Sequence, residues 1–347
     1  MRSGAIEASA PTRIDLAGGT LDIWPLSLLI PGAITVNLAV DLRARAFVAP
    51  RKDRLVVVVS RDRGLRVTRK LPLNPGEGRG PLSLLLRLAA AFEPGEGLTL
   101  VTEADAPAGA GLGGSSALGI AVGAALSRFT GAGLRREALL RRVMNVEAAE
   151  IATPTGNQDY LAAIHGGLAA YHHGFDGTAR EALAIPAGLE ERLVLAYTGE
   201  PRGSGISNWD MFRRAIERER QTTRGLEAIA SLARELHAAL RERDLDSAGR
   251  ILGEEGRLRY RLAPSVATPA LLRAGEAARR AGAAGVKACG AGGGGCLVAF
   301  ARAGKARDVS RALGATGARV LEFRIARAGV RVGPPRGARI TERRGGS

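Results

Sequence analysis

The chain is poor in the residues that staple or metallate small proteins. Its two cysteines, Cys289 and Cys296, sit close together in one glycine run, so they do not read as a disulfide framework. With only four histidines, a zinc site is not expected. Aromatic residues make up 4% of the chain, too few for a stacking platform that grips single-stranded nucleic acid. No apolar run reaches membrane-spanning length, since residues 24–30 and 55–59 are both short. The segment Met1-Arg-Ser-Gly-Ala-Ile-Glu7 lacks the apolar core of a secretory signal. A cytoplasmic location with no membrane partner is the expectation.

Acids are also scarce relative to bases, 34 against 50, for a formal net charge of +16. The arginines are dispersed and interleaved with acids, as in Arg213-Arg-Ala-Ile-Glu-Arg-Glu-Arg220. That pattern reads as a solvated surface, so no nucleic-acid partner is expected, whereas an anionic substrate suits the charge. With 347 residues and 46% hydrophobic content, the chain can bury two cores or one large one. No internal repeat is visible.

The most informative stretch is Pro107-Ala-Gly-Ala-Gly-Leu-Gly-Gly-Ser-Ser-Ala117. Residues 98–104 before it read as a strand and residues 117–129 after it as a buried helix. Glycines let a backbone approach a bulky anion, and the first N–H groups of a helix have no partner within it. Strand, glycine turn, paired serines and helix therefore suggest a phosphate cradle; the plainer alternative is a turn of small residues that lets a helix pack tightly. A Walker loop is excluded because no lysine follows the glycines. Gly109, Gly111 and Gly114 fit G-x-G-x-x-G, but helix rather than a second parallel strand follows the turn at residues 130–133, which removes the dinucleotide-binding context.

Along the chain, strands are expected at residues 7–16, 33–40, 45–49, 55–59 and 65–68, and a helix at 81–92. Helices follow at 134–151 and 157–164, the second carrying Asp159 in its first turn, where an acid ordinarily complements the helix dipole. A strand at 166–171 precedes a domain boundary near Pro186. Beyond it come a buried strand at 193–197, a polar loop at 198–205, helices over 207–262 and 271–281, and a glycine run leading into a strand that ends at Phe300. One more helix (309–313) and strand (319–325) complete the reading, and the basic tail after Gly333 is expected to fray.

Three separated motifs stand in one order: Ala10-Pro-Thr-Arg-Ile-Asp-Leu-Ala-Gly-Gly19, the 107–117 stretch, and Lys287-Ala-Cys-Gly-Ala-Gly-Gly-Gly-Gly-Cys296. Together they resemble the GHMP kinases, the superfamily of galactokinase, homoserine kinase, mevalonate kinase and phosphomevalonate kinase. Within it the chain is most similar to the D-glycero-D-manno-heptose 7-phosphate kinase branch, on Leu16-Ala-Gly-Gly-Thr-Leu-Asp22, Gly156-Asn-Gln-Asp159 and Tyr197-Thr-Gly199 with Arg202 and Ser204. The resemblance implies an α+β, two-domain fold: a ribosomal-protein-S5-like N-terminal domain over 1–186 that binds ATP, and a ferredoxin-like C-terminal domain over 187–347. It allows a homodimer.

It also implies roles. Pro107, Gly109, Gly111, Leu112, Gly113, Gly114, Ser115 and Ser116 would wrap the ATP phosphates. Ser116 and Glu147 would hold Mg²⁺, with Glu150 a competitor for the second place. Asp159 would face the acceptor hydroxyl as the catalytic base, with Arg13 beside it. Gly19, Asp22, Thr198, Arg202, Ser204, Gly292 and Gly293 would contact a sugar or sugar-phosphate substrate. Arg13 cannot itself be a base, because its pKa lies above about 12. Residues 23–30, Ile23-Trp-Pro-Leu-Ser-Leu-Leu-Ile30, are more apolar than this branch usually carries. If they line the pocket, a smaller, less polar acceptor such as mevalonate fits better, with Trp24 and Trp209 as candidate contacts. A non-catalytic binding protein on the same scaffold is the third alternative.

Overall fold

The computed structural model describes residues 4–74, 76, 80–200, 206–290 and 292–335, and the side chains of residues 206–208 fall outside that description. The first part of the chain runs β1 (Ile6–Ala17), α1 (Leu26–Leu29), β2 (Ile34–Pro50), β3 (Leu55–Ser60), β4 (Leu65–Lys70), α2 (Ser83–Ala91), β5 (Leu98–Ala104), α3 (Gly114–Phe129), α4 (Arg136–Ile151), α5 (Gln158–His165), β6 (Leu168–Gly174) and β7 (Gly177–Leu183). The second runs α6 (Leu189–Arg192), β8 (Leu193–Tyr197), α7 (Ile206–Ile216), α8 (Arg220–Arg241), α9 (Leu245–Leu262), α10 (Pro269–Arg280), β9 (Ala283–Ala288), β10 (Cys296–Ala301), α11 (Ala306–Ala315), β11 (Arg319–Leu321) and β12 (Arg331–Gly333). Among the described residues no helix is long and apolar enough to cross a membrane.

Two sheets organise these elements. The eight-stranded one has the order β12-β1-β2-β5-β3-β4, with β6 pairing β2 and β7 pairing β6. The four-stranded one has the order β11-β8-β10-β9. Pairing is antiparallel except between β3 and β5, which are parallel. β12 pairs with β1, so the segment expected as one C-terminal domain also contributes a strand to the first sheet.

The structure corrects two strand expectations. The stretches at 33–40 and 45–49 form one continuous strand, β2. It pairs with β6 through residues 34–38 and with β5 through residues 44–50. The polar residues between them mark a change of partner, not a turn. The strand expected over 319–325 stops at Leu321, because the chain then crosses to the first sheet, where Ile325 bridges Val40 and Arg324 N–H donates to Asp41 Oδ1 at 2.7 Å. The tail from residue 336 onward lies outside the described residues.

α3 is built to be buried. Gly119 and Gly123 face Val143 of α4 so closely that a Cβ at either would sit 2.7 Å from a valine methyl. This lets the helix lie between α4 and the first sheet, where Ala117, Ile120, Ala121 and Ala125 are fully covered. A second cluster joins Ile14, Leu16 and Leu38 of the first sheet to Leu195, Val298 and Phe300 of the second, through Leu236 of α8 and Leu252 of α9. A shared apolar seam thus connects the two sheets.

α9 approaches β9 through Gly249, Gly253 and Gly256. A Cβ at Gly253 would lie 2.7 Å from Gly285 Cα, and one at Gly285 would overlap the Gly249 carbonyl oxygen. These are backbone neighbours, which cannot rotate aside. Gly285→Leu should therefore lower the unfolding free energy by about 3 kcal/mol, the upper end of overpacking costs. Urea denaturation checks this, and a loss below about 1 kcal/mol would mean the helix can slide away from the strand.

Candidate active site

Arg13 and Asp15 alternate along β1, a strand buried from Ala10 to Ala17, so both side chains enter the molecule on one face. The Arg13 guanidinium reaches two groups from distant parts of the chain. Its Nε donates to Asp159 Oδ1 at 2.8 Å and its Nη1 donates to the carbonyl of Gly111 at 2.7 Å. Its backbone N–H also donates to Leu112 O at 2.9 Å. One arginine thus fastens an acid on α5 to the glycine loop ahead of α3. Burial disfavours the Arg13 charge, but Asp159 and Asp15 more than offset this, so its pKa is held above the ordinary value.

The loop approaches Asp159 directly. Gly109, Gly111 and Gly113 all have positive φ, and a Cβ on Gly113 would stand 3.1 Å from the Asp159 carboxyl carbon. Gly113 is the N-cap of α3 and no side chain caps that end, which leaves the first N–H groups of the helix available to an anion. The third motif packs behind the loop: Cys296 N–H donates to Ala110 O at 2.8 Å, and a Cβ at Gly111 would run into the Cys289 carbonyl.

Two cavities meet here. One is walled by residues 106–115 of the loop with Leu82, Leu85 and Ser60. The other is walled by Arg13, Gly19, Asp22, Ser116, Glu147, Gln158 and Arg259. Asp159 and Ser115 belong to both walls, so the carboxylate stands at the junction. In the second cavity Ser116 Oγ donates to Glu147 Oε2 at 3.2 Å and Tyr160 OH donates to the same oxygen at 2.6 Å. Burial pushes the Glu147 pKa up, and hydrogen bonds from Ser115, Tyr160 and Ser116 pull it back part of the way. Hard oxygens on a serine and a carboxylate, open to a cavity, suit Mg²⁺, which binds through one or two protein oxygens plus substrate phosphates. Glu150 points elsewhere: it pairs with Arg87 at 2.6 Å and accepts from Ser83.

Asp22 is 6% exposed and accepts from the backbone N–H of Gln158 at 2.9 Å, tying it to the start of α5. A Cβ at Gly156 would overlap its carboxylate, so only glycine fits there. Burial pushes the Asp22 pKa up to about 6 against the pull of the Gln158 N–H, with Asp159 and Asp15 adding repulsion. Beside it, the buried Gln158 Oε1 has no hydrogen-bond partner.

Of the remaining expected residues, Gly19 lines the second cavity, and a Cβ on it would collide with the Asp15 carboxylate. Thr198 lies behind the site, its Oγ1 donating to Gly295 O at 2.9 Å. Gly292 and Gly293 pack against Val266, with Gly293 N–H donating to Val266 O at 3.0 Å; Gly290 is the residue of that run that reaches the cavity wall. Arg202 and Ser204 lie outside the described residues. From residues 23–30 only Ile23 lines this cavity; Leu26 and Ile30 are buried against α7 and α8, and Trp24 is exposed. Trp209 stacks on Phe212 at 5.5 Å and lines neither cavity.

Sequence reasoning missed a buried charge network beneath the site. Lys287 Nζ lies 3.1 Å from Asp15 Oδ1 and 2.8 Å from Glu255 Oε2. Arg259 Nε lies 2.8 Å from Glu255 Oε1, and its other nitrogens reach the Gly19 carbonyl and Thr20. Gly18 N–H donates to Glu255 Oε1 at 3.2 Å. These charges bind the Gly18–Thr20 turn of the first sheet to α9 and β9 of the second. Burial opposes the Asp15 charge, but Lys287, Arg259 and Arg13 overcome it and lower its pKa. A lone lysine in the apolar strand AAGVKA was the available signal for Lys287. Glu255 and Arg259 gave none, since α9 carries several other charged pairs.

The chain matches two family models, described as GHMP kinases N terminal domain, over residues 82–167, and GHMP kinases C terminal, over residues 236–319. It is 32% identical to the mevalonate kinase of Pyrococcus horikoshii over 68% of this chain and 69% of that one. It is 25% identical to the D-glycero-alpha-D-manno-heptose 7-phosphate kinase of Campylobacter jejuni over 94% of this chain and 98% of that one. It is 26% identical to the bifunctional fucokinase/GDP-fucose pyrophosphorylase of Arabidopsis thaliana over 87% of its own length, spanning only 30% of that relative. In fold it is similar to the galactokinase of Lactococcus lactis, with a TM-score of 0.79 at 17% identity, covering 95% of each chain.

The raised pKa of Asp22 has a definite consequence for stability. Between its ordinary value near 3.8 and about 6 the unfolded chain releases this proton while the folded one keeps it, so Asp22 makes stability fall as pH rises through that window. The total is of order 3 kcal/mol. Asp22→Asn should flatten the decline in denaturation midpoint between pH 4 and pH 6 relative to the parent. Parallel curves for the two proteins would show that Asp22 titrates as an ordinary carboxylate.

Proposed function

Because the chain belongs to the GHMP kinase family, we propose that it transfers the γ-phosphate of ATP to a hydroxyl of a sugar or sugar phosphate, of the heptose 7-phosphate kind. In this reading residues 1–186 supply the ATP-binding part and residues 187–347 complete the cleft. Phosphoryl transfer asks for positioning and charge neutralisation more than covalent participation. The Pro107–Ser116 loop and the free end of α3 hold the phosphate tail. Ser116 and Glu147 would hold Mg²⁺, which would supply charge neutralisation for the phosphate tail.

Asp159 accepts the proton of the acceptor hydroxyl. Arg13 holds Asp159 aimed across the junction, and its own charge lies near the transferring group. Asp22 and Gln158 orient the acceptor.

The observation that carries the sugar assignment is the wall of the acceptor cavity. Asp22, Thr153, Thr155, Gln158 and Arg259 line it, and Gln158 Oε1 is left without a partner. A buried polar atom of this kind costs free energy until a ligand satisfies it, which favours a polyol over a mostly apolar acid. Of the apolar stretch after Asp22, only Ile23 reaches the cavity, while Leu26 and Ile30 turn into the core, which supports the same choice. The 32% identity to a mevalonate kinase sustains mevalonate as the second reading.

An ADP-release assay against heptose phosphates, galactose, fucose and mevalonate tests the choice. Turnover with at least one sugar or sugar phosphate, at kcat/KM at least about tenfold above mevalonate, is expected. Turnover with mevalonate and none of the sugars would transfer the assignment to the second reading.

A further inference from the structure

Away from the cleft, three ligand-type atoms converge from three elements. His172 stands on β6, Glu181 on the neighbouring β7, and His237 near the end of α8. His172 Nε2 is 2.9 Å from Glu181 Oε2, and His237 Nε2 is 3.0 Å from the same oxygen. The two imidazoles meet edge to face with centroids 5.5 Å apart. Among the described residues this is the one group of three or more histidine, cysteine or carboxylate side chains whose ligand atoms all lie within 4.8 Å of one another. Two of the chain's four histidines are gathered here. Four histidines are few for a zinc site, yet the pairing of β6 with β7 and the packing of α8 bring two of them together with a carboxylate.

We propose that His172, Glu181 and His237 form a Zn²⁺-binding site that clips the β6–β7 hairpin to α8. Two imidazole nitrogens and one carboxylate oxygen are a usual zinc ligand set, with water in the fourth position. At zinc–ligand distances near 2.0–2.1 Å, tetrahedral ligands sit about 3.3 Å from one another. The separations of 2.9 and 3.0 Å to Oε2 need to open by only a few tenths of an ångström. Each imidazole binds as the neutral ring through Nε2, its proton on Nδ1. The side chains are partly exposed, so the ion and its water have access.

The neighbouring charges leave room for a cation. Arg241 approaches the other carboxylate oxygen, Oε1, at 3.9 Å, and its side chain is 64% exposed and therefore screened. His173, next in sequence, turns into the core, where its ring nitrogens meet Thr35 and Thr178, and it takes no part. The clip would join the β6–β7 hairpin to α8, which lies against β1, β2 and α9. None of its three residues lines either cavity, so it acts on where α8 sits, not on the reaction. A metal that binds only the folded chain stabilises it by mass action.

The test uses the full-length chain without a histidine tag, freed of metal by chelation. Co²⁺ should bind at one equivalent with the intense visible bands of a four-coordinate site, and Zn²⁺ should displace it. Zn²⁺ should also raise the thermal midpoint by several degrees. His172→Ala/His237→Ala should lose the cobalt spectrum and the midpoint shift, while its kinase turnover stays as in the parent. Glu181→Gln, which keeps the shape and both imidazoles, should weaken Zn²⁺ binding at least about tenfold. An unchanged cobalt spectrum or zinc affinity in the double variant, or the lack of four-coordinate bands in the parent, would overturn the proposal.

Discussion

The arrangement of this molecule depends on one guanidinium. Arg13 is held by its backbone to Leu112 and spends its side chain on Gly111 and Asp159. Without it, a carboxylate on α5 and the carbonyls of a glycine loop would face each other with nothing to hold them together. With it, the loop proposed to cradle phosphate and the acid proposed to face the acceptor become one unit. Arg13 is 3% exposed and Asp159 23%, so the arginine is locked while the acid keeps an open side toward the cavities. Removing one partner of such a pair leaves the other charged and desolvated, which is why the pair constrains the site as well as decorating it.

The cleft rests on a second set of charges. Asp15, Lys287, Glu255 and Arg259 join a turn of the first sheet to α9 and β9 of the second, with Asp15 and Arg259 reaching the cavity wall. That network exists only because α9 lies almost in backbone contact with β9, and the glycines at 249, 253, 256 and 285 permit that approach. Small residues set the distance, the distance brings the charges into range, and the charges fix the turn that bears Gly19 and leads to Asp22. The apolar seam through Leu16, Leu195 and Phe300 closes the same interface from the other side.

Much of this could be read from residues alone, for identifiable reasons. A glycine loop between a strand and a buried helix, and an acid in the first turn of a short helix, are local signals carried by adjacent residues. Their convergence was implied only by the family resemblance, because nothing in the spacing of Arg13, Gly111 and Asp159 states that they meet. Where the reading strayed, long-range pairing was responsible. β2 changes partner midway and looks like two strands; β11 ends early because Ile325 is drawn to Val40. Gly292 and Gly293, expected to touch the substrate, lie against Val266, and among the described residues of that run it is Gly290 that lines the cavity. Glu147 was set ahead of Glu150 by the resemblance alone, and the direction of α4 is what makes one a partner of Ser116 and the other a partner of Arg87.

Asp159, held by Arg13 at the junction of two cavities, is the group proposed to take the proton of the acceptor. The most direct test is the rate of γ-phosphate transfer by Asp159→Asn at saturating substrates, measured beside its affinity for ATP. A fall of about 10³-fold or more, with ATP affinity within a few-fold of the parent, is the predicted result. Transfer within about tenfold of the parent would contradict the account, because a neutral amide at that position can hold a hydroxyl but cannot accept its proton.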